Sequence, residues 1–387
     1  MSEVLHSCRR EFSYRIFLLL PLVLPVIVFF GGGVNGEDED SVSNHSVVRE
    51  PGPVESIRLG RGIGEIRGIR GFAIAAHHIG DLDLYLKSVD RIAEMGANAL
   101  IVVTPMWQRK VDSSVIRVLK KKCPTDEQLV TILKKAHARG MHTTLLPIVL
   151  IEKPGKKEWR GKIRPKDWDR WWGHYDKLMD RFIGIANEAK VDLLGIGSEL
   201  NSTEDQRERW ERIVEYTRKR FRPDGGGQLT YSSNWDRYDK VELWDLVDVI
   251  SVSSYFELDP EDNKAPHETL VAAWTEAQGA MMKFAKEWER PLLLTEVGYP
   301  SLKWATAHPW NYVPKMGMKA DHEAQARGWR AFFDAWRGVL KDPSSRMAGF
   351  FCYHWDPYHQ GGERDTGYGV WGKPAYAIIR ENFQKLK

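Results

Sequence analysis

The stretch "VDLLGIGSELNSTED", residues 191–205, decides how the rest of the chain is read. Its first half is apolar and glycine-spaced, the pattern of a strand buried on both faces. It then stops on Glu199, where a turn residue would be ordinary. An ionised carboxylate in an apolar wall costs several kcal/mol unless it is paired, so Glu199 has either a partner or a chemical task. The residues that follow, "STEDQRERWERIVEYTRKRF" (202–221), have helical period, with Ser202 and Asp205 in capping-box spacing. The unit is strand, polar loop, helix.

The unit repeats. Runs of the same kind are "IRGFAIAA" (69–76), "ANALIVVTP" (97–105), "HTTLLPIVL" (142–150), "DLLGIGSEL" (192–200), "QLTYSSNW" (228–235), "DVISVSSYF" (248–256), "PLLLTEVGY" (291–299) and "GFFCYHWDP" (349–357). Between them lie helix-period segments. "LDLYLKSVDRIAEMG" ends on Gly96, and "TDEQLVTILKKAHARG" opens with Thr125 as cap and closes on Gly140. Continuous apolar strands alternating with helices call for parallel pairing with both faces covered. Eight such units in a chain of 387 residues fit a (β/α)8 TIM barrel with long loops better than two separate sheets. The barrel is assigned to residues 66–387.

Ahead of it, Arg9, Arg10 and Arg15 precede the apolar run "IFLLLPLVLPVIVFF" (16–30) and the small residues "GGGVNG". The run is shorter than the roughly 20 residues a membrane span needs and contains two prolines, so residues 1–36 read as an export signal in preference to a retained signal anchor. Residues 37–65, acidic and rich in Ser and Pro at their start, read as a flexible spacer. The expected location is periplasmic or extracellular, with a membrane anchor as the alternative.

In a barrel of this class the functional site lies at the C-terminal ends of the strands. The first run ends near His77 and His78, the second near Trp107 and Gln108, the fourth on Glu199 and the fifth on Asn234 and Trp235. The sixth ends on Tyr255, the seventh on Glu296, and the eighth on His354, Trp355 and Asp356. Glu199 and Glu296 thus occupy matched places on strands that face each other across the mouth. Two carboxyl groups about 5 to 5.5 Å apart are the equipment of a retaining glycosidase, one attacking the anomeric carbon and the other protonating the leaving oxygen. The pair must sit in different environments, one held ionised and one holding its proton, and Tyr255 is placed to donate to Glu296. The plainer reading makes each Glu the buried partner of an Arg or Lys. The matched strand ends and the surrounding aromatics favour function.

These residues resemble a known family. "GIGSELNSTED", "LTYSSNWD", "VDVISVSSYFEL", "PLLLTEVGYPS" and "GYGVWGKPA" are similar in order and spacing to glycoside hydrolase family 113, a clan A group that includes retaining endo-β-1,4-mannanases. "EWRGKIRPKDWDRWWGHYDKLM" (158–179) and "HPWNY" (308–312) extend the likeness across residues 68–376. The resemblance implies Glu199 as acid/base, Glu296 as nucleophile, Tyr255 as the residue that orients the nucleophile, and Trp355 as the aromatic platform under the sugar that is attacked. Ser198 stands where many clan members have Asn, and "ALIVVTP" lacks the Arg that many have on the second strand, so Gln108, Asn234 or Trp235 is left to read the sugar 2-OH.

The remaining composition narrows the alternatives. The 56 Lys and Arg balance 53 Asp and Glu, and no basic run with interleaved aromatics marks a nucleic-acid track. Sixteen Trp exceed the needs of a core, and those on expected loops, Trp159, Trp310 and Trp371, join Trp107 and Trp355 as sugar-stacking candidates. Adjacent Trp171 and Trp172 cannot both face one way on a helix, so at least one is packing. Cys123 and Cys352 lie beyond the leader, and Cys352, inside an apolar run, reads as a buried thiol. His77 and His78 point to opposite sides of an extended chain, and neither His-x-His nor His-Glu-x-x-His occurs, so no metal or other cofactor is implied. "GIGSEL" is not a Gly-x-Ser-x-Gly elbow. The expected partner is a polysaccharide or oligosaccharide, with no nucleic acid and no obligate protein partner. The leading expectation is an endo-β-1,4-mannanase working by double displacement. Its rivals are a glycosidase for another β-glycan (glucan, glucomannan or a chitosan-like polymer), a non-catalytic carbohydrate-binding barrel, and an intracellular barrel enzyme working beside a metal.

Overall fold

The computed structural model describes residues 66–223, 225–259, 264–358 and 361–386. The export signal and spacer read at residues 1–65 lie outside them. Nine strands are present among the described residues: β1 (Ile69–Ala75), β2 (Ala99–Gln108), β3 (Ile116–Arg117), β4 (His142–Ile151), β5 (Leu193–Ser198), β6 (Gln228–Asn234), β7 (Val249–Ser253), β8 (Leu292–Val297) and β9 (Met347–Trp355). Eight of them pair in parallel around a closed ring, β9 returning to β1 and β1 to β2. The ring is the (β/α)8 TIM barrel read from the alternation. β3 stands outside it, antiparallel to the end of β2 with Trp107 opposite Arg117. Two residues are too short a run to carry a period, so sequence could not show it.

Several helices begin or end where local capping chemistry puts them. Asp81 caps α1 (Leu82–Glu94) by accepting from the Leu84 N–H at 3.2 Å. Thr125 and Gln128 form a reciprocal capping box on α2 (Asp126–Ala138). The chain leaves α1 through Gly96 at φ 95° and α2 through Gly140 at φ 71°, the left-handed exits expected of a C-cap. Asp167 caps α3 (Trp168–Glu188) and Asp321 caps α6 (His322–Lys341), while Pro374 opens α7 (Pro374–Lys385).

Two local readings are corrected. The capping box proposed from Ser202 and Asp205 does not form, because Asn201–Thr203 make a 3-10 turn and α4 (Arg207–Arg220) starts only after Gln206. The Gln206 side chain instead accepts from the Trp172 indole at 2.9 Å. Between β6 and β7, where the repeat calls for a helix, there is a 3-10 turn at Tyr238–Lys240 and a loop anchored by fully buried Trp244. The next helix, α5 (His267–Glu287), follows β7.

Strand parity sorts the core into two layers. Residues such as Leu100, Val102, Leu145, Leu194, Ile250 and Leu292 face the helices, with Trp171, Trp172, Trp210, Trp274, Trp329 and Trp336 packed among them. Both members of the Trp171–Trp172 pair are therefore packing. Ile101, Val103, Leu146, Leu193, Val249, Leu293 and Phe351 fill the barrel interior. Above them the interior turns polar: Ser232 and Thr295 hydroxyls meet at 2.7 Å and Thr230 donates to Ser251 at 2.6 Å. Cys123 and Cys352 are both buried free thiols, and burial pushes the Cys352 thiol well above its ordinary pKa.

Candidate active site

Two strand irregularities aim the paired carboxylates. On β8, Leu294 lies opposite Val252 but Glu296 lies opposite Ser253, so β8 carries one extra residue at this point. Thr295 bonds Ser232 inside the barrel. Simple alternation would then turn Glu296 outward, into the helix layer. The bulge brings it back to the mouth, where it lines the cleft. On β5 the register slips in the same way between Gly195 and Ser198, and Glu199 itself takes φ 51°. That left-handed backbone costs a non-glycine residue about 1 to 2 kcal/mol. It is held by the Glu199 N–H donating to Ser232 at 2.8 Å and by the Leu200 N–H donating to the Tyr231 hydroxyl at 2.9 Å. Tyr231 in turn donates to Glu204, which Arg237 faces at 3.3 Å. The turn that presents Glu199 is thus braced by a chain of three side chains beneath it.

Both carboxyl groups are more than nine-tenths buried. Arg160, on the 3-10 turn Arg160–Lys162 after β4, contacts Glu199 Oε2 at 2.8 Å. Burial lowers the Arg160 pKa, but the charges of Glu199 and Glu296 outweigh it and leave the guanidinium above its ordinary value. Tyr255 donates to Glu296 Oε2 at 2.6 Å. Burial and the neighbouring Glu199 charge push Glu296 up to about 7, against the pull of Arg160 and Tyr255 in the other direction. Two carboxylates around one cation cannot both ionise freely, so the pair holds a proton toward neutrality.

Around the pair opens a cleft of about 1530 Å³. Trp159, Asn234, Trp235 and Trp310 all line it, as do Glu199, Glu296 and Tyr255. Three of the expected residues sit differently. Gln108 is fully buried, its amide donating to Lys110 and Val111 carbonyls and accepting from Trp171, so every polar atom is spent on the loop after β2 and none faces the cleft. Trp107 packs at the interior edge under the Lys122 ammonium and is not part of the cleft wall. Trp355 reaches the wall but shows about 1% of its surface, stacked on Trp371 at 5.3 Å and edge-on to Phe72. A sugar platform needs an open ring face, and Trp371 is committed to that stack.

Several residues here were not anticipated. Tyr353, two positions before Trp355, projects toward the pair: its ring lies 6.1 Å from Tyr255, and after burial the Glu296 charge is the largest influence raising its pKa. A Cβ on Gly298 would stand 2.3 Å from the Tyr353 carbonyl oxygen, so only glycine lets the end of β8 approach β9 this closely. Tyr368 and Tyr312 complete the same wall. Arg160 was visible only as one letter of "EWRG". Its signal, a lone cation between an aromatic and a glycine in a loop after a barrel strand, is too short to single out.

Some of the buried polar atoms without partners among the described residues belong to residues that line this cleft, among them His77 Nε2, Asn201 Oδ1, Ser202 Oγ, Asp236 Oδ1 and His354 Nδ1. Burial, His354 and Arg160 hold His77 down at about 4, so it stays neutral and keeps both donor and acceptor capacity. Native interiors seldom leave such groups unmatched. A ligand dense in hydroxyl groups would match them. No metal-binding cluster of His, Cys, Asp or Glu occurs among the described residues.

Comparison with known proteins bears on the family and the fold. The model of Glycoside Hydrolase Family 113 matches residues 83–373. The β-mannanase of that family from Alicyclobacillus acidocaldarius superposes with a TM-score of 0.71 at 24% identity, covering 82% of this chain and 98% of that one. A second family 113 β-1,4-mannanase gives 0.70 at 22% identity over 82% and 99%. A family 5 subfamily 18 enzyme from Streptomyces cattleya, in complex with GlcNAc, gives 0.55 at 17% identity over 83% and 81%. At these identities the superpositions speak for the barrel. No curated protein matches the chain.

Proposed function

The chain belongs to glycoside hydrolase family 113 and is a glycoside hydrolase, and from that premise we propose that it is an exported, retaining endo-β-1,4-mannanase. The observation that carries the proposal is the buried pair Glu199 and Glu296 facing one guanidinium, Arg160, with the Tyr255 hydroxyl on the second carboxylate. Mannan as substrate rests on the β-mannanases among the structural neighbours. Export rests on the leader read at residues 1–36.

In the first step Glu296 attacks the anomeric carbon while Glu199 gives its proton to the departing oxygen, leaving a glycosyl ester on Glu296. In the second, Glu199 takes a proton from water, the hydroxide displaces the ester, and both residues return to their starting state. One shared proton is what the pair needs. In the free enzyme burial and the neighbouring carboxylate raise Glu296 to about 7, so the pair holds that proton below neutrality. In the complex it must lie on Glu199, and the glycosidic oxygen, an acceptor beside Glu199, draws it there because a hydrogen bond to the neutral acid favours that form. Once Glu296 is esterified its charge is gone, and Arg160 then favours Glu199 as carboxylate, the form that activates water. Asn234, Trp235, Trp159 and Trp310 are proposed to contact the glycan along the cleft.

Release of reducing ends from β-1,4-mannan by the chain, compared with its Glu296→Ala form, tests the assignment. Proton NMR of the first product anomer tests retention. Turnover by the intact chain with initial β-anomer and none by the variant is expected. Undiminished turnover by the variant, or an initial α-anomer, overturns it.

A further inference from the structure

The two loops that follow β2 and β4 form one cationic surface. Residues 109–122 carry six Arg and Lys against one Asp, and residues 152–167 carry seven against three Asp and Glu, in a chain whose net charge is only +3. The rest of the molecule is therefore net negative. The loops are zipped together: the Lys153 N–H donates to Arg109, Arg164 to Val111 and Lys166 to Asp112, all at 3.1 Å or less. Their acids are already used, Glu152 by Arg117 and Lys122, Glu158 by Arg164, Asp112 by Lys166 at 4.0 Å, and Asp167 as the cap of α3. Arg109, Lys110, Lys120, Lys121, Lys153 and Lys156 are exposed and have no ion pair among the described residues. Six unpaired like charges on two adjoining loops repel each other and weaken the fold slightly. Such a face is stable in company with a polyanion.

Its position identifies the partner. The second loop also supplies Trp159, Arg160, Gly161 and Lys162 to the cleft wall, so a polymer leaving the cleft over that wall passes onto the cations. The opposite end of the barrel receives the chain at Ile66, buried in the interior cluster beside Ile69. Continuity of the cations with the cleft wall favours the glycan itself as the partner. We propose that the preferred substrate is an acidic β-glycan, bearing sulfate, phosphate or carboxylate substituents, whose charged stretch lies across residues 109–122 and 152–167 while a neutral stretch occupies the cleft. This rests on the reading of the cleft as a β-glycan site.

The test measures binding of the full chain, made inactive by Glu296→Gln, to β-1,4-mannan and to the same polymer partly sulfated. The sulfated polymer is expected to bind about tenfold tighter at low salt, with the gap closing as salt screens it. Changing Lys120, Lys121, Lys153 and Lys156 together to Gln in the active chain should leave turnover of neutral mannan unchanged. In the inactive chain the same four changes should abolish the gap, and changing all four to Arg should preserve it. Equal binding of the two polymers, a gap that survives the Gln changes, or equally strong capture by phosphatidylglycerol vesicles would overturn the proposal. Failure of the active chain to hydrolyse either polymer sinks the glycosidase reading instead, and the binding gap is scored independently of it.

Discussion

Replacing Tyr255 by Phe isolates one hydrogen bond at the centre of the site. The Tyr255 ring is buried among Tyr353 and Tyr368, at 6.1 and 5.8 Å between centroids, and Phe keeps that packing. What disappears is the 2.6 Å donation to Glu296. A hydrogen bond to a buried charge is worth about 1.5 to 3 kcal/mol, which corresponds to about 1 to 2 pKa units on the group that loses it. The lost donor favoured the ionised form, so the Glu296 pKa rises from about 7 toward about 8 or 9. The pair loses its last proton at that pKa, and with it the acid needed for the first step. The alkaline limb of the kcat/KM profile therefore starts near pH 7 in the unchanged protein and moves upward by about one unit or more in the variant, while the maximum rate falls because the nucleophile is less ionised and less well held. The assay is initial-rate hydrolysis of a manno-oligosaccharide from pH 4 to 10. An alkaline limb that stays in place or moves down refutes the electrostatic argument, whatever happens to the rate.

Two further outcomes follow from the same pair. Arg160→Met leaves Glu199 and Glu296 buried without their cation, a loss of about 3 to 5 kcal/mol when both are charged, and much less at pH 5, where Glu296 holds a proton. Thermal unfolding should show the larger fall in Tm at pH 8, and an equal fall at both pH values would mean that packing, not charge, is what the arginine supplies. Glu296→Gln should stabilise the protein at pH 8. A Glu raised from 4.5 to about 7 in the folded state favours folding least above its folded pKa, and the stability lost as pH rises between those values is roughly 3 kcal/mol at 1.36 kcal/mol per unit. Denaturant unfolding at pH 5 and pH 8 reads this directly, and a variant no more stable than its parent at pH 8 contradicts the shift.

Much of this molecule is legible along the chain. The eight strands lie within a few residues of their apolar runs because a barrel strand is buried on both faces, and that burial leaves a local mark in hydrophobicity. Thr125, Gly96 and Gly140 bound their helices because capping chemistry is local too. Glu199, Tyr255 and Glu296 stand out for the same reason: a polar residue closing an apolar run is visible without knowing what lies opposite. What tertiary structure decided is everything that depends on pairing between distant segments. The bulges in β5 and β8 that turn both carboxylates into the mouth exist only relative to β6 and β7, and no count along one strand contains them. Arg160 reaches Glu199 from a loop 39 positions away, Gln108 is consumed by Trp171, and Trp355 is closed off by Trp371 while Tyr353 takes the inward place. The cationic face likewise arises from two loops, each unremarkable alone, that backbone hydrogen bonds bring together beside the cleft.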